Sequence, residues 1–401
     1  MSNSPRPALL ILAYLAFVSL GLPDGLLGVG WPSISSTFDV PTEAVGLLLA
    51  AGTVGYLTSS VAAGFTLARV GVGWLLAGST ALASLGLTGY ALSPVLALMV
   101  GCALVLGLGS GAVDSGLNAY AASAFGPRHM NWLHAFFGLG VAIGPLIMTT
   151  VIGAGLSWRW GYGIVASAQA LLALAFVLTV RAWDDRRTAR TGTDPSGAEQ
   201  ESTPVRIPVA ATLRLPAVWT GAVAFAVYVG VEVGAGLWAF LLLTEGRGLS
   251  EAAAGVCVSI YWGSLFVGRV VQGVVAERLG SGLVLRASLV GMAVGAALVA
   301  IPAPAALAVV GLAIIGFAAA PVFPLLTLTT AERVGPAHAD RAIGLQIGAA
   351  GLGGAVLPAG IGLLLSRVTI EALGSALLVL SLVLLGLYLA SARRPVATGA
   401  G

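Results

Sequence analysis

The chain has 401 residues, of which 58% are hydrophobic and only 9% charged, with a formal net charge of +3. Soluble domains carry roughly 25% charged residues. This composition therefore excludes a soluble fold, whose surface could not be hydrated, and directs the chain into a bilayer as packed helices. The charge does not argue for nucleic acid, because the basic residues are all Arg and sit in loops, apart from Arg269.

In chain order, apolar runs long enough to cross hydrocarbon predict spans at 8–31, 44–67, 74–92, 95–120, 132–154, 159–180, 216–243, 252–276, 283–303, 305–328, 342–366 and 370–391. Residues 8–22 have the look of a signal-peptide core, but they open a longer repeat and are read as a span. The polar segment 181–212 separates six spans from six, and its stretch 191–204 cannot bury a core. The expected organisation is an N-terminal six-helix bundle over 1–180, a cytoplasmic linker over 181–212 and a C-terminal six-helix bundle over 213–401. Cys102 and Cys257 fall inside spans and read as small packing residues.

Arg counts orient the chain. With the N-terminus inside, Arg6, Arg69, Arg128, Arg181, Arg186, Arg187, Arg190, Arg206, Arg214, Arg278, Arg286, Arg333, Arg341, Arg393 and Arg394 are cytoplasmic. Only Arg159, Arg247 and Arg367 lie outside. Both termini are therefore expected in the cytoplasm, in a multi-pass protein of the inner membrane. The halves repeat at an offset of 209 residues: Gly21 falls on Gly230, Gly64 on Gly273, Arg69 on Arg278, Gly71 on Gly280, Gly107 on Gly316 and Gly144 on Gly353. Two parallel six-helix repeats with a site between them near the midplane form one of the transporter architectures.

The loop segments Gly64-Phe-Thr-Leu-Ala68-Arg69-Val-Gly71 and Gly273-Val-Val-Ala-Glu277-Arg278-Leu-Gly280 resemble the signature of the major facilitator superfamily. The first copy lacks the acid that Glu277 supplies in the second. A more local resemblance is to the fucose:proton symporter branch, which includes glucose/galactose permeases. It rests on Asp114-Ser-Gly-Leu-Asn118, on the segment from Arg128 through Asn131 and His134 to Gly144-Pro145, on Tyr228-Val-Gly-Val-Glu232, and on Gly316-Phe-Ala-Ala-Ala-Pro321-Val-Phe-Pro324. The departures are His134 and Phe137 where that branch has Gln and Asn, and Ala119 where it has Pro. The resemblance implies an all-α, twelve-helix major facilitator fold, and a coupling pair of acids matched by Asp24 and Asp114.

Physically, Asp24, Asp114, Glu232 and Arg269 lie inside apolar spans and must face the bundle interior or a wet cavity. A carboxylate away from water holds a proton more readily, so such a group can load on one side and release on the other. The alternative is a carboxylate that permanently bonds neighbouring helices together. Proton coupling is assigned to Asp24, Asp114 and Glu232. Asn118, one turn after Asp114 on the same helix face, is expected to contact a polar solute with His134, Tyr228, Glu232, Trp238 and Gln346; an interhelical bond is as good a reading of Asn118, and helix packing of His134. Trp238 lies about a turn and a half from Glu232, and sugars stack on aromatic faces. Trp31, Trp132, Trp158, Trp160, Trp219 and Trp262 read as interfacial anchors. Arg69, Arg269, Glu277 and Arg278 are assigned structural or gating roles, with Arg269 either snorkelling or pairing with an acid of the other half.

No feature marks an enzyme, a metal site or a cofactor, and the absence of Lys excludes a P-loop in this chain. The expected function is proton-coupled symport of a sugar or similar small polar solute by a monomer in the lipid bilayer. Sodium coupling stays open. The alternative is a proton-coupled drug or metabolite efflux antiporter of the same fold, which the partial motif Gly140-Val-Ala-Ile-Gly144-Pro145 favours. A non-transporting receptor would not need buried acids in both halves.

Overall fold

The computed structural model describes residues 7–125, 127–190 and 208–392, with the side chains of 122, 123, 127, 128, 131, 184–190, 273–275, 277 and 392 excepted. The expected linker stretch 191–204, together with Arg6, Gly126, Arg206, Arg393 and Arg394, lies outside the described residues, as do the side chains of Arg128, Asn131, Arg186, Arg187, Arg190 and Glu277.

Eleven helices among the described residues are long and apolar enough to cross a membrane. One of them, Val45–Leu92, runs for 48 residues. At 1.5 Å per residue that is roughly 70 Å, about twice the hydrocarbon thickness. Gly71, at φ 80° and ψ 169°, breaks it in two, so the spans number twelve. We label them α1 (Pro7–Phe38), α2 (45–70), α3 (72–92), α4 (Leu96–Ala124), α5 (Pro127–Gly153), α6 (Arg159–Arg190), α7 (Pro216–Leu241), α8 (Glu251–Leu279), α9 (Ser281–Ala300), α10 (Ala305–Ala319, continued as Val322–Leu328), α11 (Pro336–Arg367) and α12 (Ala372–Ala392). The expected loop between the second and third spans is thus a single kinked glycine.

The repeat holds at the level of backbone and packing. Gly280, between α8 and α9, has φ 83°, in the left-handed region that glycine enters at little cost. It is the counterpart of Gly71. Gly107 of α4 lies against the backbone of Gly52 in α2, and Gly316 of α10 lies against Tyr261 in α8. Gly86 meets Leu106, and Gly295 meets Ile315. Each pair of contacts is separated by the same 209-residue offset found in the sequence. Small residues let these helices approach closely, which is how membrane helices gain packing without a hydrophobic driving force.

Three seams join the halves: α1 with α7, α2 with α11, and α5 with α8. Gly28 lies at the backbone of Gly236, Gly46 at Ala359, and Gly255 at Thr149. All three contacts sit at the end of the bundle away from Pro7 and Ala392. At that end one apolar core runs through both halves, including Leu26, Trp31 and Met148 with Leu237, Phe240 and Trp262. At the opposite end the cores are separate, with one around Phe17, Leu133 and Phe176 and another around Val218 and Ala342. Among the described residues α4 forms no comparable seam with α10 or α11. The molecule is therefore closed at the far end and parted at the end bearing the termini.

This closure corrects part of the tryptophan expectation. Trp132, Trp160 and Trp219 are exposed, as belt residues would be, but Trp31, Trp158 and Trp262 are buried. Trp31 donates to the carbonyl of Thr42 at 2.8 Å, Trp158 donates to Thr37 Oγ1 at 3.0 Å, and Trp262 covers Gly236. These rings plug the closed end instead of anchoring its rim.

Candidate functional site

Asp114 sits midway along α4, where Gly107 and Gly111 bring α2 close enough for a side chain of α2 to reach it. That side chain is Tyr56, whose hydroxyl donates to Asp114 Oδ2 at 2.6 Å. Asn118, one turn on, donates through Nδ2 to Oδ1 at 3.0 Å. Both carboxylate oxygens are thus served by neutral donors. Asn118 Oδ1 is buried without a partner, leaving an acceptor beside the acid.

Asp24 is exposed although Gly21, Leu22, Pro23, Gly25, Leu26, Leu27 and Gly28 around it are all buried. At 100° per residue it lies on the face of α1 opposite Ile11 and Leu15, which are exposed toward the lipid side. Asp24 therefore opens onto an internal cleft. It is near enough to Tyr56, Tyr90 and Tyr162 to act electrostatically on their hydroxyls. His134, on α5, is also exposed and rests edge-on against Phe17 at 5.4 Å. Its ring senses the charges of both Asp114 and Arg269.

In the C-terminal half the acid has a different partner. Arg269 Nη2 lies 3.7 Å from Glu232 Oε1, with the two side chains 22% and 14% exposed. Arg269 Nη1 also donates across the seam to the main-chain carbonyl of His134 at 3.3 Å. Arg269 thus neither snorkels nor pairs with an acid of the other half. It pairs within its own half and touches the other half through backbone. The reason is reach: Glu232 on the adjacent α7 is closer than the bundle end at Leu279, nearly three turns away.

Three of the expected solute contacts are buried and hydrogen-bonded within the C-terminal half, Tyr228 lying beside Glu232 as well. Tyr228 is fully buried and donates to the carbonyl of Ala319 at 3.1 Å. Trp238 is buried beside Gly362 and donates through Nε1 to the carbonyl of Pro358 at 2.9 Å. Gln346 is buried, accepts from Thr330 Oγ1 at 2.9 Å, and sets its amide against Gly221. All three serve the interior of the C-terminal half, and Tyr228 and Trp238 do so where prolines disturb a helix. Pro321 cannot donate to the carbonyl of Phe317. Gln272 fills that vacancy at 2.6 Å, itself held by Ser288 at 3.1 Å. Arg69 and Arg278 are exposed at the open end.

Sequence reading missed Tyr56 and Gln272. The available signal for Tyr56 was its place directly after Gly52 and Gly55, the glycines of α2 that pack on α4. For Gln272 it was the proline in the neighbouring span, which needs an outside donor. Among the described residues no three His, Cys, Asp or Glu side chains come together as metal ligands.

Twelve spans in two repeats, with ionisable side chains in a cleft between them, form one of the architectures of membrane transporters. The family model of the Major Facilitator Superfamily matches residues 13–358 and again 234–400, and the chain belongs to that family. It is 23% identical over 290 residues to Bypass of stop codon protein 6 of Saccharomyces cerevisiae, covering 67% of this chain and 57% of that protein. It is 28% identical over 170 residues to the 3-(3-hydroxy-phenyl)propionate transporter of Escherichia coli, covering 41% of this chain and 42% of that protein. The chain thus spans about half the length of these two curated relatives.

Among solved structures the nucleoside transporter NupG superposes with a TM-score of 0.72 at 17% identity, covering 97% of this chain and 99% of that one. A bacterial homologue of the human lysosomal transporter Spinster, in an inward-facing and occupied conformation, gives 0.71 at 14% identity, covering 98% of each. The peptide transporter POT gives 0.72 at 15%, covering 98% and 96%. At these identities the likeness is one of fold.

Proposed function

We propose that the protein is a secondary active transporter that carries a small polar, hydroxylated solute, a sugar or a close chemical relative, together with a proton. The observation that carries this reading is Asp114, held mid-span by the neutral donors Tyr56 and Asn118 beside an unpartnered amide oxygen. When such a carboxylate takes a proton, the charge disappears and no stranded cation remains. That makes it a suitable carrier of the coupling proton, and Asp24 and Glu232 on the same cleft complete the set. Sodium would need several oxygen ligands around it, and the hydrogens that Tyr56 and Asn118 aim at Asp114 would face such a cation there.

With both termini in the cytoplasm, as the Arg distribution supports, the parted end is the cytoplasmic one and the described state is inward-facing. Alternating access then consists of opening the glycine contacts at Gly28, Gly46 and Gly255 while the halves meet at the other end. The efflux alternative leaned on Gly140 and Gly144. Here both pack on the backbone of α1, at Val18 and Gly25 respectively, a task that transport in either direction requires.

The test is uptake into proteoliposomes driven by an imposed pH gradient, with labelled D-galactose, sugar acids and hydrophobic cations as cargo. Accumulation of a polar solute that collapses with a protonophore is the expected result. Accumulation of hydrophobic cations only, against the proton flow, would overturn it in favour of the antiporter.

A further inference from the structure

Arg269 is underused. A guanidinium offers five N–H donors in a planar fork. Its tight contacts with carboxylates are about 2.7–2.9 Å long and often bidentate. This chain builds such a site elsewhere: Arg247 is 4% exposed, lies 2.7 Å from Glu371 Oε2, and donates to the carbonyls of Val299 at 3.0 Å, Ile301 at 2.9 Å, and Ala303. Arg269 instead has one carbonyl at 3.3 Å and one carboxylate oxygen at 3.7 Å. It is the more accessible of the two cations, although it lies deep in the membrane. A guanidinium left loosely paired there has kept donors for something else.

We propose that Arg269 anchors a carboxylate carried by the transported solute, and that Glu232 is the counter-ion this carboxylate displaces. The inference rests on the transporter reading above and names the solute class, a hydroxylated monocarboxylic acid. A dianion such as a phosphate ester fits poorly, since the cleft holds Asp24, Asp114 and Glu232 against a single arginine. The hydroxyls have acceptors in Asn118 Oδ1 and in the acids. The groups facing Glu232 are Arg269 and Tyr261 from α8 and Tyr228 one turn away on α7, with His134 of α5 and Asp114 of α4 beyond Arg269.

The exchange balances. Before it, Arg269 and Glu232 compensate each other. Afterwards Glu232 carries a proton from the medium and Arg269 is compensated by the solute. Proton and acid enter together, and the net charge of the site is unchanged.

The experiment uses the purified full chain with D-gluconate, D-galacturonate and L-threonate, each against its neutral counterpart sorbitol, D-galactose or threitol. Dissociation constants are read from ligand-dependent thermal shifts. The acids are expected to bind roughly tenfold to hundredfold tighter than the neutral partners, the scale of a charged hydrogen bond. Arg269→Gln brings the acids down to the neutral level. Glu232→Gln keeps acid binding, because no carboxylate then competes with the solute for Arg269. The double variant Glu232→Gln/Arg269→Gln leaves no charge stranded and controls for folding, since its melting temperature without ligand should match that of the unmodified protein.

The inference is overturned if neutral solutes bind as well as acids, if no acid binds, or if Arg269→Gln leaves acid affinity unchanged. Proton-driven accumulation of galactose but not of acids would sink the anchor and leave symport standing. Arg269-dependent acid binding with no proton-driven accumulation would do the reverse.

Discussion

The two halves share a scaffold and differ in chemistry. In each, a glycine of the fourth or tenth span lies on the backbone of the second or eighth, at Gly107 with Gly52 and at Gly316 with Tyr261. In each, a left-handed glycine, Gly71 or Gly280, turns the chain between adjacent spans. Yet the N-terminal acid, Asp114, is held by a phenol and an amide, whereas the C-terminal acid, Glu232, is held loosely by a guanidinium. The repeat therefore fixes helix packing and leaves the buried polar residues free to diverge. A proton taken by Asp114 leaves a neutral hydrogen-bonded cluster; one taken by Glu232 leaves a bare cation that must find an anion. On this reading the N-terminal half is a proton site and the C-terminal half is an anion site gated by a proton.

The change with the largest expected effect is Asp114→Asn. It keeps the shape of the side chain and removes the ionisable group. Proton-driven accumulation should fall at least ~100-fold, the scale of losing a proton-transfer group, while exchange of labelled for unlabelled solute across the proteoliposome membrane persists. A variant that still concentrates solute would place the coupling proton elsewhere and erase the contrast between the halves.

Tyr56→Phe is the next step down. It deletes the donor at 2.6 Å and leaves the carboxylate with Asn118 alone. A hydrogen bond to a charged group is worth about 1.5–3 kcal/mol, so initial rates of proton-driven uptake should drop roughly tenfold or more. Solute affinity should move much less, because Tyr56 serves the acid and not the cargo. Loss of affinity with an unchanged maximal rate would make Tyr56 a solute contact and join the two sites into one.

Much of the fold was legible because membrane helices announce themselves by length and polarity. The apolar runs marked the spans, and the 209-residue offset marked the repeat. The acids were legible for the same reason, since a carboxylate in hydrocarbon stands out against its surroundings. Partners were not. Tyr56 lies in an unremarkable apolar run, and only the approach of α2 to α4 brings its hydroxyl to Asp114. Arg269 was visible as a charge, but its choice of Glu232 over the bundle end depends on how α7 meets α8. Tyr228, Trp238 and Gln346 were drawn to the site by their polarity and position along a span. Rotation about the helix axis, which sequence does not specify for a helix apolar on every face, turned them into the interior of their own half.

Trp238 gives the smallest and most discriminating test of that rotation. In the N-terminal half an aromatic hydroxyl serves a carboxylate; here an indole N–H serves the carbonyl of Pro358 at 2.9 Å and the ring fills the space beside Gly362. Trp238→Phe removes the donor but leaves the Pro358 carbonyl in the helix ladder of α11, so the cost is that of one net hydrogen bond, about 0.5–1.5 kcal/mol. The melting temperature of the purified protein should fall by a few degrees, with the affinity for solute unchanged. The opposite pattern, an unchanged melting temperature with affinity reduced roughly tenfold, would mean that the ring turns into the cleft and stacks on the cargo. The C-terminal half would then bind its solute by an aromatic face as well as by charge, and the division into a proton half and an anion half would need a third component.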